Sequence, residues 1–245
     1  MDERVPILYE DNHLLVVVKR PGLPAQRDES GDTDLLTLLK AYVGEKYQKP
    51  GAVYLGLVHR LDRPVGGLMV VARTSKAAAR LSQQIRERCF DKRYLAVLQG
   101  EVSRQMELSD WLLKDERSGM VSVVPEGTPG AKLAQLVSTP RATAADDITG
   151  DAYTLLDIRL ITGRAHQIRV QHASAGYPIA GDRRYGPGAA RGSKPQSIAL
   201  WASGLGFLHP TTRAPLRFFA PPDMRGFWRM YKDTIATIAL EESHE

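Results

Sequence analysis

Residues able to do chemistry gather in two stretches. HRLDRPVGG, residues 59–67, places one carboxylate, Asp62, between Arg60 and Arg63. A carboxylate close to an arginine keeps its ionised form, which makes a poor general acid but a competent nucleophile or electrostatic anchor. From the residues alone, a plain Asp–Arg pair stabilising a sheet edge is the favoured reading of Asp62, since such pairs are common. The second stretch, TGRAHQIRVQHASAG at 162–176, carries Arg164, His166, Gln167, Arg169 and His172. Thr162 precedes a helix-capable run that stops at Gly176. Within that helix His166 and Arg169 are three apart and point the same way, and Arg164 sits at the helix start, where free N–H groups favour an anion.

Several chemistries find no support. His166 and His172 are six apart and fall on different faces, and no HExxH occurs, so a metal site is not expected. There is no GxSxG elbow for a serine nucleophile and no phosphate-cradling glycine loop. A glycoside or nucleoside hydrolase needs a second carboxylate facing the first, and none is evident beside Asp62.

The elements that must carry these residues read as follows. ILYEDNHLLVVVKRPG starts like a hairpin around Asp11-Asn12. Residues 32–47 have helical periodicity through Leu35, Leu36, Leu38, Leu39, Tyr42 and Val43. Residues 53–58 and 67–72 read as buried strands, so HRLDRPVGG connects strand to strand, with Gly66-Gly67 allowing a tight turn. TSKAAARLSQQIRERC reads as a helix capped by Thr74 or Ser75. Its apolar stripe runs Ala78, Leu81, Ile85 and Cys89, which makes Cys89 a core residue. KRYLAVLQGEV is a strand with Tyr94 near its start. Residues 115–150 hold two weak strands, MVSVV and KLAQLV, and AYTLLDIRLI is a strong one. IALWASGLGFLHP and PLRFFA are strands, and a helix closes the chain. The sum is an α+β fold, one domain over 1–245, with a mixed, mainly antiparallel sheet flanked by helices.

With 43% hydrophobic and 25% charged residues the chain has the composition of a soluble globular protein. A single cysteine suits a reducing compartment. No apolar run approaches the ~20 residues of a membrane span, and the acidic N-terminus is unlike a signal peptide. A cytoplasmic location is therefore expected, with no membrane partner. The net charge of +5 is unevenly placed. Residues 60–93 carry nine Lys/Arg against three acids, and 163–194 carry six against Asp182 alone. Joined, the two segments would make a basic face for a phosphate-backbone partner.

HRLDRPVGGLMVVART resembles the HRLD motif of RNA pseudouridine synthases of the RluA type. KRYLAVLQG is similar to that family's K-x-Y-L-A strand. TGRAHQIRVQHASAGYPIAGDRRYG resembles its TGR-T-HQIR and G-x-PI-x-GD-x-x-YG stretches, and IALWASGLGFLHPTTRAPLRFFAPP its closing block. The resemblance runs from about residue 7 to 222. It implies isomerisation of uridine in ribosomal or transfer RNA, with no cofactor and no metal. Asp62 would be the nucleophile, attacking either the uracil ring or ribose C1′. Tyr94 would stack on the uracil, and Arg169 would pair with Asp62 and orient it. Arg60 would hold the RNA strand, with His59, Arg164, His166 and Gln167 as supporting substrate-binding residues. The departures are Gly66 where the family often has Ser, Ala165 for Thr, and Trp201 for a common His. With the match starting near residue 7, an N-terminal S4 RNA-binding domain is not expected, and the loop YGPGAARGSKPQ is the first candidate for further RNA contacts. Nothing in the sequence demands more than a monomer. The competing class is an RNA-binding or RNA-folding factor with an idle site, against which the joint presence of Asp62, Tyr94 and Arg169 argues.

Overall fold

The computed structural model describes residues 5–48, 50–186 and 198–243. In chain order the elements are β1 (Ile7–Glu10), β2 (Leu14–Lys19), α1 (Leu35–Lys46), β3 (Gly56–Leu57), β4 (Gly66–Ala72), α2 (Ser75–Arg86), β5 (Asp91–Gln99) and β6 (Met106–Lys114). There follow β7 (Val121–Val124), β8 (Lys132–Ala145), β9 (Ala152–Leu160), α3 (Gln167–Ser174), β10 (Leu200–Leu208), β11 (Pro215–Phe219), a 3-10 turn at Gly226–Tyr231 and α4 (Lys232–Ser243). The expected α+β class is what is observed. Within the chain two compact units can be described: residues up to Asp91 with Ala202–Ala220, and Lys92–Trp201 with Pro221–Glu245.

In the first unit β1, β2 and β4 follow one another as antiparallel neighbours, β3 pairs with β4, and β11 pairs with β10. Strand residues point to alternate faces. Leu14 and Val16 of β2 with Leu68, Val70 and Ala72 of β4 therefore share one face, which α2 covers with Ala77 and Leu81. Burying each of the Leu and Val side chains contributes roughly 1.5–3 kcal/mol. The opposite face, Leu15 and Val17, is also fully buried. α2 begins as the sequence indicates, with Thr74 capping it by accepting from Ala77, and Asp34 caps α1 by accepting from the Thr37 N–H. α1 is tied to β1 through Glu10, which accepts from Tyr42, Lys46 and Tyr47.

Two expectations fail here. Cys89 is exposed, not core. α2 ends at Arg86 and Arg88 takes the left-handed conformation (φ 58°), so the 3.6-residue stripe does not reach position 89. Gly67 is needed for a close approach, not for a tight turn. It lies inside β4 at φ 122°, and a Cβ there would fall 2.5 Å from the Ala202 N.

In the second unit the strand order is β5-β9-β8-β6-β7, every pair antiparallel. β6 was not expected, because MELSDWLLK alternates too weakly to stand out. β8 extends well beyond KLAQLV and passes Pro140 at a register shift, the place a proline without an N–H can occupy. Val170 of α3 packs with Leu112, Val121 and Ala134 of β6, β7 and β8, which seats the helix against these strands.

Candidate active site

In the first unit HRLDRPVGG lies between β3 and β4. Val65 N–H donates to the Asp62 carbonyl at 3.0 Å, closing a turn that leads into β4. His59 is half-buried, and its Nε2 accepts from the Val70 N–H at 3.0 Å, pinning the start of the loop to β4. Arg60 is exposed and makes no hydrogen bond or ion pair among the described residues, while the Asp62 side chain is half-buried. Arg63 has partners of its own: Nε donates to the Gly22 carbonyl and the guanidinium pairs with Asp28 and Asp32.

The loop is anchored from beneath by Lys19. This side chain is fully buried, and its ammonium donates to the carbonyls of Arg20 (3.2 Å), Leu23 (2.8 Å) and Arg63 (3.1 Å). The three acceptors match its three protons. Burial pushes the ammonium down to about 7, Asp62 pulls it back up and Arg63 adds to the depression. A buried lysine at the end of the apolar run LLVVVK was the sequence signal for this anchor, and it went unread.

The second unit holds the other sequence-predicted residues. Tyr94 lies on β5 opposite Ile158 and is nearly buried. Lys92 is two residues earlier on the same face of β5. Its ammonium reaches to 3.6 Å from where a Gly163 Cβ would stand, in the TGR turn, and burial pushes its pKa down.

The TGR turn is not helical. α3 starts only at Gln167, because the preceding residues are bound to β8. Thr162 N–H donates to the Gln135 carbonyl, and its hydroxyl accepts from the Gln135 N–H at 2.8 Å. His166 stands ahead of the helix in the left-handed conformation (φ 51°), so the expected shared helical face of His166 and Arg169 does not exist. Arg164 is likewise outside the helix, exposed, with Nε donating to the Leu133 carbonyl. Gln167 is buried. Its Oε1 accepts from the Thr162 hydroxyl and the Arg164 N–H, and its Nε2 donates to the Gln135 carbonyl.

Arg169 is buried too. Its Nε and Nη2 each donate at 2.8 Å to the two oxygens of Asp182. Burial pushes the Asp182 carboxyl up, but Arg169 and the backbone N–H groups of Arg184 and Tyr185 outweigh it and hold the group below its usual range. The Tyr185 ring lies 5.2 Å from the guanidinium, and its hydroxyl sits 2.7 Å from His166 Nδ1 and accepts from the Val121 N–H. The structure thus brings together Arg164, His166, Gln167 and Arg169 around one turn and helix start, and adds Asp182 and Tyr185, which sequence reasoning passed over. Their signal was available: Asp182 is the lone acid of the basic 163–194 segment.

Comparison with known proteins decides the family. The model of the RNA pseudouridylate synthase family matches residues 13–174, a stretch containing both motif regions. The chain belongs to the RNA pseudouridylate synthase family. Among relatives, it is 34% identical over 221 residues to ribosomal large subunit pseudouridine synthase C of Vibrio vulnificus, covering 88% of this chain and 65% of that protein. It is 35% identical over 240 residues to ribosomal large subunit pseudouridine synthase D of Xylella fastidiosa, covering 90% and 66%. The chain therefore spans about two thirds of the length of these relatives. In fold it is similar to human RNA pseudouridylate synthase domain containing 1, with a TM-score of 0.74 at 22% identity, covering 99% of this chain and 96% of that one.

Of the departures, Gly66 and Trp201 are buried in strands and Ala165 is exposed in the TGR turn. Residues 187–196 of the loop proposed for RNA contacts lie outside the described residues. Among the described residues no helix is long and apolar enough to cross a membrane, and no group of three or more His, Cys, Asp or Glu could hold a metal ion.

Proposed function

We propose that the protein isomerises uridine to pseudouridine in RNA, with large-subunit ribosomal RNA as the substrate class. The observation that carries this reading is the family match over 13–174, within which Asp62, Tyr94 and Arg169 all stand in their motifs. In the reaction the bond between ribose C1′ and uracil N1 breaks, the detached base turns, and C1′ joins C5. The C5 proton leaves and N1 gains one, so no cofactor is consumed. Asp62 is the nucleophile that stabilises the separated state, Arg169 orients it, and Tyr94 gives the base a surface to stack on.

The physical demands fit these residues. Extruding a uridine from folded RNA costs a few kcal/mol of unstacking, which backbone contacts from exposed cations such as Arg60 and Arg164 offset. Stacking on Tyr94 returns roughly 1–3 kcal/mol. His166 is half-buried at the TGR turn and contributes to the substrate face. His59 and Gln167, whose side-chain hydrogen bonds go to the protein backbone and the TGR turn, act by shaping the HRLD and TGR turns. The test is Asp62→Asn assayed on a transcribed large-subunit rRNA fragment. Pseudouridine formation is expected to vanish while RNA binding persists. Conversion at the wild-type rate would overturn the nucleophile assignment, and RNA binding without product from the unaltered protein would favour an RNA-folding factor with an idle site.

A further inference from the structure

We infer that Tyr185 is a positioning residue that sets the tautomer of His166. Its hydroxyl donates to Nδ1, so the ring proton sits on Nε2, and His166 meets the RNA as a fixed N–H donor to an oxygen of the uracil or of a phosphate. The inference rests on the proposed place of His166 on the substrate face. A neutral imidazole carries one proton, and the bond made by one ring nitrogen decides what the other offers. The Tyr185 oxygen lies 2.7 Å from His166 Nδ1, and the Val121 N–H donates to the same oxygen at 3.0 Å. These are the two partners of the hydroxyl among the described residues. A backbone N–H only donates, so the hydroxyl proton has one acceptor to go to, Nδ1. With the imidazole proton on Nδ1 instead, the phenol oxygen would receive two N–H groups. Its own hydrogen, on a half-buried side chain, would then lack an acceptor.

Both ends of this contact are held. The Tyr185 ring packs on the cluster of Leu112, Val121, Ala134 and Val170, and its N–H donates to Asp182. Burial pushes the phenol pKa up and Asp182 adds to the rise, while the Val121 N–H, Arg169 and Arg184 offset only part of it. The hydroxyl therefore keeps, at neutral pH, the proton it donates. His166 stands in the left-handed conformation, and its carbonyl accepts from the Val170 N–H at 3.0 Å, which fixes its backbone at the start of α3. A ring kept only to fill space would need no hydroxyl against Nδ1, since the two rings meet edge to face with centroids 5.6 Å apart. Two residues earlier the exposed Arg164 supplies charge, which positions a backbone without reading it. A neutral N–H of fixed direction adds what charge lacks, a preference for where the acceptor lies.

Tyr185→Phe keeps the ring beside Arg169 and removes only the hydroxyl. In protein labelled with nitrogen-15 histidine, long-range proton–nitrogen spectra report which ring nitrogen carries the proton, and His166→Gln identifies the signals by their loss. The wild type is expected to show His166 protonated at Nε2 alone, and Tyr185→Phe a mixture of both tautomers. On a transcribed large-subunit rRNA fragment, Tyr185→Phe is expected to raise KM and RNA Kd about 10-fold, the scale of one hydrogen bond, with kcat nearly unchanged. The His166→Gln side chain ends in an NH2 with no tautomer to set, so Tyr185→Phe should add little in that background. A loss that persists on RNA with an abasic target puts the accepting oxygen on a phosphate, and one confined to intact RNA puts it on the uracil. A wild-type His166 protonated at Nδ1, or an unchanged Kd in Tyr185→Phe, would overturn the inference. Equal losses in both backgrounds would also overturn it and leave Tyr185 as a tie between its turn and β7. Should Tyr185→Phe not fold, the wild-type spectrum still decides the tautomer. No pseudouridine from the unaltered protein would instead remove the proposed function, an outcome the spectrum does not depend on.

Discussion

The two motif-bearing regions are held in contrasting ways. The HRLD loop is clamped at its Arg63 carbonyl, with the His59 side chain pinning its start. Lys19 grips the Arg63 carbonyl from below, and Gly22 N–H donates to the same oxygen. The TGR turn and α3 are fixed through side chains, with Gln167, Asp182, Tyr185 and Thr162 sharing the work. A loop whose backbone is clamped can present its acid while Arg63 takes other partners and Arg60 stays exposed. A buried cation has no such option, because its own nitrogens must be satisfied, so the groups that satisfy them also aim it. The first region therefore depends on one linchpin, and the second spreads its dependence over a network.

The largest effect should come from that linchpin. Lys19→Met removes three hydrogen bonds from a fully buried ammonium, takes the Leu23 carbonyl's lysine donor away, and is expected to cost about 4 kcal/mol of stability, read by urea denaturation. A loss under about 1 kcal/mol would mean that the HRLD loop is not clamped from Lys19.

Acid should act on the second region. His172 is fully buried, with Nδ1 on the Ile168 carbonyl and Nε2 on the Ser138 hydroxyl. Burial pushes it down to about 4, against the Ile168 bond, which raises it. The unfolded chain thus takes up this proton near pH 6.5 and the folded one only near 4. Stability from the neutral ring is complete above about 6.5 and declines as pH falls toward 4, by roughly 3 kcal/mol in all. Denaturation curves at pH 7 and pH 4 measure this loss. His172→Gln should remove most of the difference. Asp182, whose carboxyl is held below the usual range, adds its own loss only at still lower pH.

The smallest of these effects sharpens the network side of the comparison. Gln167→Ala removes three hydrogen bonds but leaves Thr162 attached to Gln135. It is expected to cost about 2 kcal/mol by thermal or urea unfolding, half the Lys19 effect. A cost equal to that of Lys19→Met would make Gln167 a linchpin too and erase the distinction.

Legibility followed locality. The hairpin at Asp11-Asn12, the cap Thr74, and the apolar strands around the HRLD loop depend on neighbours a few residues away, and pattern reading found them. Where the decisive partner was distant, it failed. The start of α3 is set by Gln135, twenty-seven residues before Thr162. The need for Gly67 comes from Ala202, and the exposure of Cys89 from a left-handed Arg88 that no stripe reveals. The motifs pointed to Asp62, Tyr94 and Arg169, whereas the contacts of Asp182 and Lys19 were seen only once the chain was folded.

By itself, then, the sequence determined the α+β class, most element positions and the family, because periodicity, caps and ordered motifs are carried by adjacent residues. Tertiary structure alone decided how each chemical group is held. A lysine meets the carbonyl of Arg63 forty-four residues away, and an arginine meets an aspartate thirteen residues on, only when the backbone between them has folded. In each case burial makes the partner obligatory, since a charge taken out of water must find its hydrogen bonds within the protein.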